Sequence, residues 1–239
     1  MRQFVLIFLF LFFQIILKGQ ESTWNNVGKE FLLGKINYGK NSFFQKLPAT
    51  ICTKENAYLL KEVYDSLQKM IVAAHKDGIE FKVISASRNF DQQKAIWEKK
   101  WMARKGQYPK GLDRAKNILL YSSMPGTSRH HWGTDFDLNA LDPKYFAQVK
   151  GQKEYDWLCR NAERYGFYQP YDANPNRTGY QEEKWHWSFF PIAQQLTAQY
   201  LEKIQYTDLA LFQGSEFAKE LNVIQLYVNG IQQPPTKKN

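Results

Sequence analysis

Sulfur and imidazole are scarce in this chain: two Cys, four Met and four His among 239 residues. Two cysteines are too few for the disulfide framework that staples small secreted scaffolds. Cys52 and Cys159 also lack the Cys-x-x-Cys spacing of a thiolate zinc site or a dithiol redox pair. They read either as one disulfide made in an oxidising compartment or as two buried thiols. No stretch reaches the roughly 20 consecutive apolar residues that a membrane-spanning helix needs. There is no internal repeat and no linker long enough to divide the chain. Lys and Arg are dispersed and no reader motif accompanies them, which excludes a nucleic-acid module.

What is present suits a single packed domain. Hydrophobic residues make up 44% and aromatics 16%, which argues against disorder, and the length allows one full core. The first twenty residues stand apart. Arg2 precedes an apolar run from Phe4 to Leu17, broken only by Gln14, and Gly19-Gln20 follows. That length fits the apolar region of a secretory leader, with an uncleaved anchor as the alternative. No Cys near the end of the run offers a lipid attachment point. The protein is therefore expected to be exported, periplasmic or extracellular, with no stable membrane span after cleavage. The formal charge is +9, and removing Arg2 and Lys18 with no acids in residues 1–20 leaves +7. A basic exported protein is drawn to anionic wall polymers, unless the charge only serves solubility. A monomer is expected.

Periodicity assigns the elements. Residues 21–52 are rich in aromatics, Lys and Asn with weak periodicity and read as an irregular wrapping segment. From Thr53 onward Leu59, Leu60, Val63, Leu67, Met70 and Ala74 recur at helical spacing, with Gly78 as the stop. His75 falls near that helix C-terminus, where a cation is favoured. Residues 81–85 alternate like a strand and deliver Arg88 in the turn that follows. Further helices are predicted near 89–104, 113–121, 154–165, 192–205 and 214–222, and strands near 134–138 and 184–190. In the last strand His186 and Ser188 share one face, opposite Trp185, Trp187 and Phe189, which read as core, with walls of the site as the alternative for the two Trp. Residues 231–239 form a polar tail. Helices with a few scattered strands imply an α+β fold, a single domain over 53–230 with a small antiparallel sheet flanked by helices.

Two short stretches carry chemistry. Ser128-Arg-His-His-Trp-Gly-Thr-Asp-Phe-Asp137 places an imidazole, His130, seven residues before a carboxylate, Asp137. Glu183-Lys-Trp-His186 places a carboxylate three residues before another imidazole. Two His and one Asp supply three protein ligands and leave a tetrahedral zinc one open position for water. Glu183 is then free to act as general base. His131 is read as a non-ligand, either supporting a ligand or exposed. If residues 134–138 form a strand, Asp135 shares a face with Asp137. Asp135 is then open to several roles: a bond to a ligand imidazole, a pair with Arg88, a hold on a substrate ammonium, competition for the metal, or simple solvation.

The pattern Ser-x-His-x(2)-Gly-x(3)-Asp followed by Glu-x-Trp-His resembles the D-Ala-D-Ala carboxypeptidase and dipeptidase family of bacterial zinc enzymes. Those enzymes share a fold with lysostaphin-type peptidases and the amino-terminal domain of sonic hedgehog. The resemblance takes in Ser85-Ala-Ser-Arg-Asn-Phe-Asp-Gln-Gln93, Pro125-Gly126-Thr127 and Trp157-Leu158…Asn161-Ala162…Tyr165-Gly166-Phe167, in order over roughly residues 55 to 200. It departs at Asp135, where the family pattern has a small residue. The resemblance implies Zn2+ held by His130, Asp137 and His186, with Glu183 as base and Arg88 facing the scissile carbonyl. It implies that Ser128 lines the substrate pocket. Gln93 reads as a helix residue supporting Arg88, and Asp135, which the pattern does not dictate, as placed for substrate or ligand contact. The implied activity is a zinc D,D-carboxypeptidase acting on the D-Ala-D-Ala ends of peptidoglycan stem peptides. D-Ala-D-Ala dipeptidase, L,D-carboxypeptidase and wall endopeptidase are rivals within the same chemistry. A non-catalytic zinc-containing binding module is the rival outside it, and Glu183 argues against that, since a structural site has no use for an unliganded base.

Overall fold

A computed structural model describes residues 24–233. The expected leader and residues 234–239 of the tail lie outside the described residues. The chain begins as a strap. A single helical turn, α1 (Lys29–Leu32), precedes strand β1 (Phe44–Lys46), which pairs antiparallel with β2 (Tyr58–Leu60). The helix expected from Thr53 starts eight residues later, as α2 (Lys61–Lys76). Leu59 and Leu60 fit either period, and the pairing with β1, together with the Leu60 N–H to Gly133 carbonyl bond of 3.1 Å, draws them into a strand. Helix α2 then buries Val63, Leu67, Met70 and Ala74, one face at helical spacing, and its chain leaves through Gly78.

Strand β3 (Val83–Ser85) leads into α3 (Phe90–Ala103). That helix opens on a reciprocal cap: the Asn89 side chain accepts from the Gln92 N–H at 2.8 Å, and the Gln92 side chain accepts from the Asn89 N–H at 2.9 Å. Such boxes contribute about 1 kcal/mol by satisfying orphan amides. Helix α3 buries Gln93, Trp97 and Trp101 at four-residue spacing. After α4 (Gly111–Ile118) come a tight helical turn at Arg129–Trp132 and β4 (Asp135–Leu138). Gly133 joins these two at φ +73°, and a Cβ there would lie 2.4 Å from the Phe44 ring. Only glycine fits that joint without strain.

The remaining elements are α5 (Pro143–Phe146), α6 (Val149–Asn161), β5 (Phe167–Tyr168), β6 (His186–Phe189) and α7 (Phe190–Lys203). Strands β3, β4, β6 and β5 lie in that order in one antiparallel sheet. Both central strands are buried along their whole length. The α+β expectation holds, with a second, two-stranded sheet added by the strap. The helix expected at 214–222 is instead a single tight turn at Ser215–Phe217, followed by a wide turn at Ile224–Val228. Gly214 (φ +83°) and Asn222 (φ +48°) adopt left-handed backbone and interrupt it.

The strap is tied down by polar contacts as well as by packing. The Trp132 indole donates to the Leu32 carbonyl at 3.0 Å, and the Val27 N–H donates to the Gln199 side chain at 2.8 Å. The Tyr38 hydroxyl hydrogen is shared between the carbonyls of Arg88 (2.9 Å) and His131 (3.0 Å). Cys52 is buried and Cys159 exposed, and both are free thiols, so neither the disulfide nor two buried thiols describes them. His75 is exposed and pairs with Glu80.

Candidate metal centre and its cleft

Antiparallel register assembles the centre. Asp137 on β4 stands opposite His186 on β6, and Asp135 stands opposite Ser188, so all four side chains project from one face. The turn before β4 brings His130 to the same place. One ligand atom from each of His130, Asp137 and His186 lies within 4.8 Å of the others. The His130 Nδ1 sits 2.9 Å from the Ala86 carbonyl, an acceptor only, so it carries the proton and leaves Nε2 free, 3.4 Å from Asp137 Oδ2. The His186 Nδ1 lies 3.0 Å from Asp137 Oδ1, while its Nε2 lies 2.9 Å from Asp135 Oδ2. Two imidazole nitrogens and a carboxylate oxygen at this separation fit a tetrahedral cation with a position to spare.

Burial and mutual charge set the ionisation of the group. Burial, aided by the Arg88 charge, pushes His130 down to about 4. Burial also opposes charge on His186, but hydrogen bonds to Asp135 and Asp137 outweigh it and lift the ring to about 9. Burial would raise Asp137, but the charge and hydrogen bonds of His130 and His186 hold it well below the usual carboxylate range. Glu183 precedes β6, with its Oε2 3.8 Å from His186 Nδ1. Burial pushes its carboxyl up to about 7, opposed by the His186 and Arg88 charges and helped by Asp137.

The centre forms the floor of a cavity of about 540 Å³. Arg88 enters from the loop after β3, with Nη1 2.8 Å from Ser85 Oγ and 3.9 Å from Asp137 Oδ2, and its buried Nε has no protein partner. Ser128 Oγ and Gln93 Oε1 are likewise buried in the lining without partners. The Gln93 amide nitrogen bonds the Ser123 carbonyl at 2.7 Å, not Arg88, so its expected support of Arg88 is not made by hydrogen bonding. Trp185 and Trp187 are both buried, as expected of the face opposite His186, and Trp185 also walls the cavity.

Asp135 is fully buried, does not line the cavity and has both oxygens engaged, so contact with a substrate ammonium is excluded. Its cationic partner is Arg129, not Arg88. His131 is buried, not exposed. Its Nδ1 donates to the Arg88 carbonyl at 2.6 Å and its Nε2 accepts from the Gly126 N–H at 3.1 Å, so it bridges two loops of the cleft as a neutral ring. Burial holds its pKa near about 3.

Sequence reasoning passed over Lys100. It lies on α3 one and two turns beyond Ile96 and Gln93, lines the cavity and is half-buried. Burial and the nearby Arg104 lower its pKa, while Glu183 opposes that fall. Its place in a run of helix lysines gave no local signal.

Residues 56–192 match the family described as VanY, D-alanyl-D-alanine carboxypeptidase. YodJ of Bacillus subtilis (strain 168), named a carboxypeptidase, is 31% identical over 139 residues, covering 55% of this chain and 46% of its own length. A D-alanyl-D-alanine carboxypeptidase of Enterococcus faecalis (strain ATCC 700802 / V583) is 29% identical over 127 residues, covering 53% of this chain and 46% of its own. The chain thus spans less than half the length of these curated relatives. Among solved structures, the LdcB LD-carboxypeptidase is similar over 72% of this chain and 81% of its own, at 25% identity and a TM-score of 0.52. VanYB in complex with D-Ala-D-Ala covers 71% of this chain and 93% of its own at 22% identity and a TM-score of 0.52, a likeness of fold.

Proposed function

The chain belongs to the VanY family of D-alanyl-D-alanine carboxypeptidases, and from that premise we propose that it is an exported zinc carboxypeptidase. It would hydrolyse the terminal D-Ala-D-Ala bond of peptidoglycan stem peptides. The observation that carries this reading is the convergence of His130, Asp137 and His186 at the floor of a cleft that also presents Glu183 and Arg88.

His130 Nε2, an Asp137 oxygen and His186 Nδ1 would hold the zinc. When bound, zinc supplies a Lewis acid and lowers the pKa of its water toward about 7. Glu183, poised near neutrality by burial, would serve as the base that accepts a proton from the attacking water and returns it to the leaving amine. The Arg88 guanidinium, steadied by Ser85, faces the charge that develops on the scissile carbonyl oxygen. Ser128 Oγ and Gln93 Oε1 offer a donor and an acceptor to the substrate backbone, and Trp185 supplies an apolar wall. Lys100 supplies the cation for the substrate's free terminal carboxylate, which leaves Arg88 to the carbonyl.

Burial of Asp135 removes the candidate ammonium holder and so weighs against the dipeptidase reading. Glu183, near the ligands yet not needed as one, weighs against a non-catalytic module. Export rests on the leader read from residues 1–20; no helix among the described residues is long and apolar enough to cross a membrane. Incubation of the purified protein with muropeptides of defined ends, followed by weighing the products, tests the proposal. Removal of one alanine from pentapeptide stems supports it. Trimming of tetrapeptide stems alone would move the assignment to the L,D class, and inert muropeptides would refute it.

A further inference from the structure

Behind His186 lies a buried ion pair that the proposed chemistry does not use. Asp135 Oδ2 accepts from His186 Nε2 and from Arg129 Nε, both at 2.9 Å. Its Oδ1 accepts from Thr134 Oγ1 at 2.6 Å and Ser188 Oγ at 2.8 Å. Arg129 Nη1 donates to Thr197 Oγ1 and Nη2 to Ser188 Oγ, each at 2.9 Å, and the guanidinium lies 4.9 Å over the Trp132 ring. Both side chains are wholly inaccessible to solvent.

We propose that the Arg129–Asp135 pair is a positioning device for the metal centre, which fixes His186 as the Nε2–H tautomer and aims Nδ1 at the ion. The inference rests on the metal-centre reading above. A carboxylate that accepts from the outer nitrogen of a ligand imidazole selects its tautomer, fixes the ring's rotation and strengthens it as a donor. Such a carboxylate does this only if it cannot swing. Here it is held at both oxygens by the Arg129–Trp132 turn, by Thr134 just before β4 and by β6, and Arg129 is anchored in turn on α7 through Thr197. Stability alone gives no reason for the arrangement, because a buried ion pair is commonly matched or bettered by apolar residues of similar volume. The pair also meets the ligand whose outer nitrogen has no backbone carbonyl to fix it, whereas His130 is already fixed by the Ala86 carbonyl. Arg129 and Asp135 are thus positioning residues that act through His186.

The test uses the full chain with three substitutions: Asp135→Asn, which keeps the shape; Asp135→Ala with Arg129→Leu, which removes both charges together; and Ser188→Ala, which spares the bond to His186. Zinc affinity is read by competition with a chromophoric chelator, and the site geometry by the visible spectrum of the cobalt-substituted protein. Asp135→Asn and the double variant should each keep one metal per chain, with affinity about 10–100-fold weaker and a shifted cobalt spectrum. Ser188→Ala, which loosens one hold on Oδ1 but spares the bond to His186, should move both readouts in the same direction by less. Asp135→Asn carries the reading if the double variant fails to fold. Parent-like affinity and cobalt spectrum in folded variants overturn the inference alone, as does loss of all metal from Asp135→Asn, which would make Asp135 a ligand. A parent that binds no zinc overturns the metal-centre reading itself.

Discussion

Replacing Glu183 by Gln should weaken the enzyme and strengthen the protein. On the activity side, loss of a positioned base typically costs about 10²–10⁴-fold in rate. On the stability side, burial raises the Glu183 carboxyl from its ordinary 4.5 to about 7. The folded state therefore holds this proton more tightly than the unfolded chain. Below pH 4.5 both states are protonated and the residue costs nothing. As pH rises from 4.5 to 7 the unfolded chain ionises first, and stability is lost across that window. Above it the cost saturates at roughly 3 kcal/mol, from about 1.36 kcal/mol per pKa unit, with the favourable His186 and Arg88 charges already counted. Gln has no proton to lose. In protein stripped by chelator, the variant should melt above the parent at pH 8 by roughly 6–12 °C, at about 2–4 °C per kcal/mol for a chain of this size. The gap should close near pH 4.5. Thermal melts of both proteins at the two pH values decide the matter. A variant that melts with or below the parent at pH 8 would refute the argument that burial alone makes this acid a base, and one that cannot retain zinc would make Glu183 a ligand.

Chelation should abolish hydrolysis and zinc restore it, with affinity that climbs with pH up to about 9. His186, raised to about 9, must give up a proton to bind metal, and calorimetry in buffers of differing ionisation heat reads that proton directly; flat affinity from pH 6 to 9 would contradict the assignment. Lys100→Gln should raise KM about tenfold for peptides ending in a free carboxylate, the loss of one charge-assisted bond, and leave amide-ended peptides unchanged; equal effects on both would remove Lys100 from recognition. Gly133→Ala should destabilise the fold by roughly 2–4 kcal/mol, combining left-handed backbone strain with overlap onto Phe44, and denaturant titration at unchanged slope would measure it.

The parts legible in the sequence are those whose physics is local. The cap at Asn89 with Gln92, the glycine stops and the two-residue alternation that puts Asp135 and Asp137 on one face can all be read from neighbours in the chain. Helical spacing failed at Leu59 and Leu60 because a leucine pair satisfies both periods, and a strand thirteen residues upstream decided between them. Arg129 was invisible for a stronger reason. Its partners Asp135, Ser188 and Thr197 lie 6, 59 and 68 residues away, and nothing beside it in the chain marks an arginine for burial.

The strap has a consequence for where the working unit of this fold begins. Residues 56–192, the span shared with the family, hold every candidate ligand, the base and Arg88. Yet the Arg88 carbonyl, held within the span by His131 Nδ1, takes a second bond from outside it, from Tyr38, which also donates to the His131 carbonyl, and Gly34 lies against the His131 ring so closely that a Cβ would come within 2.4 Å of it. A chain trimmed to the shared span would keep the whole chemical inventory and lose contacts that brace the loops carrying Arg88 and His131. Likeness of sequence traces the tools of the reaction; the vice that grips them is made from residues the likeness leaves out.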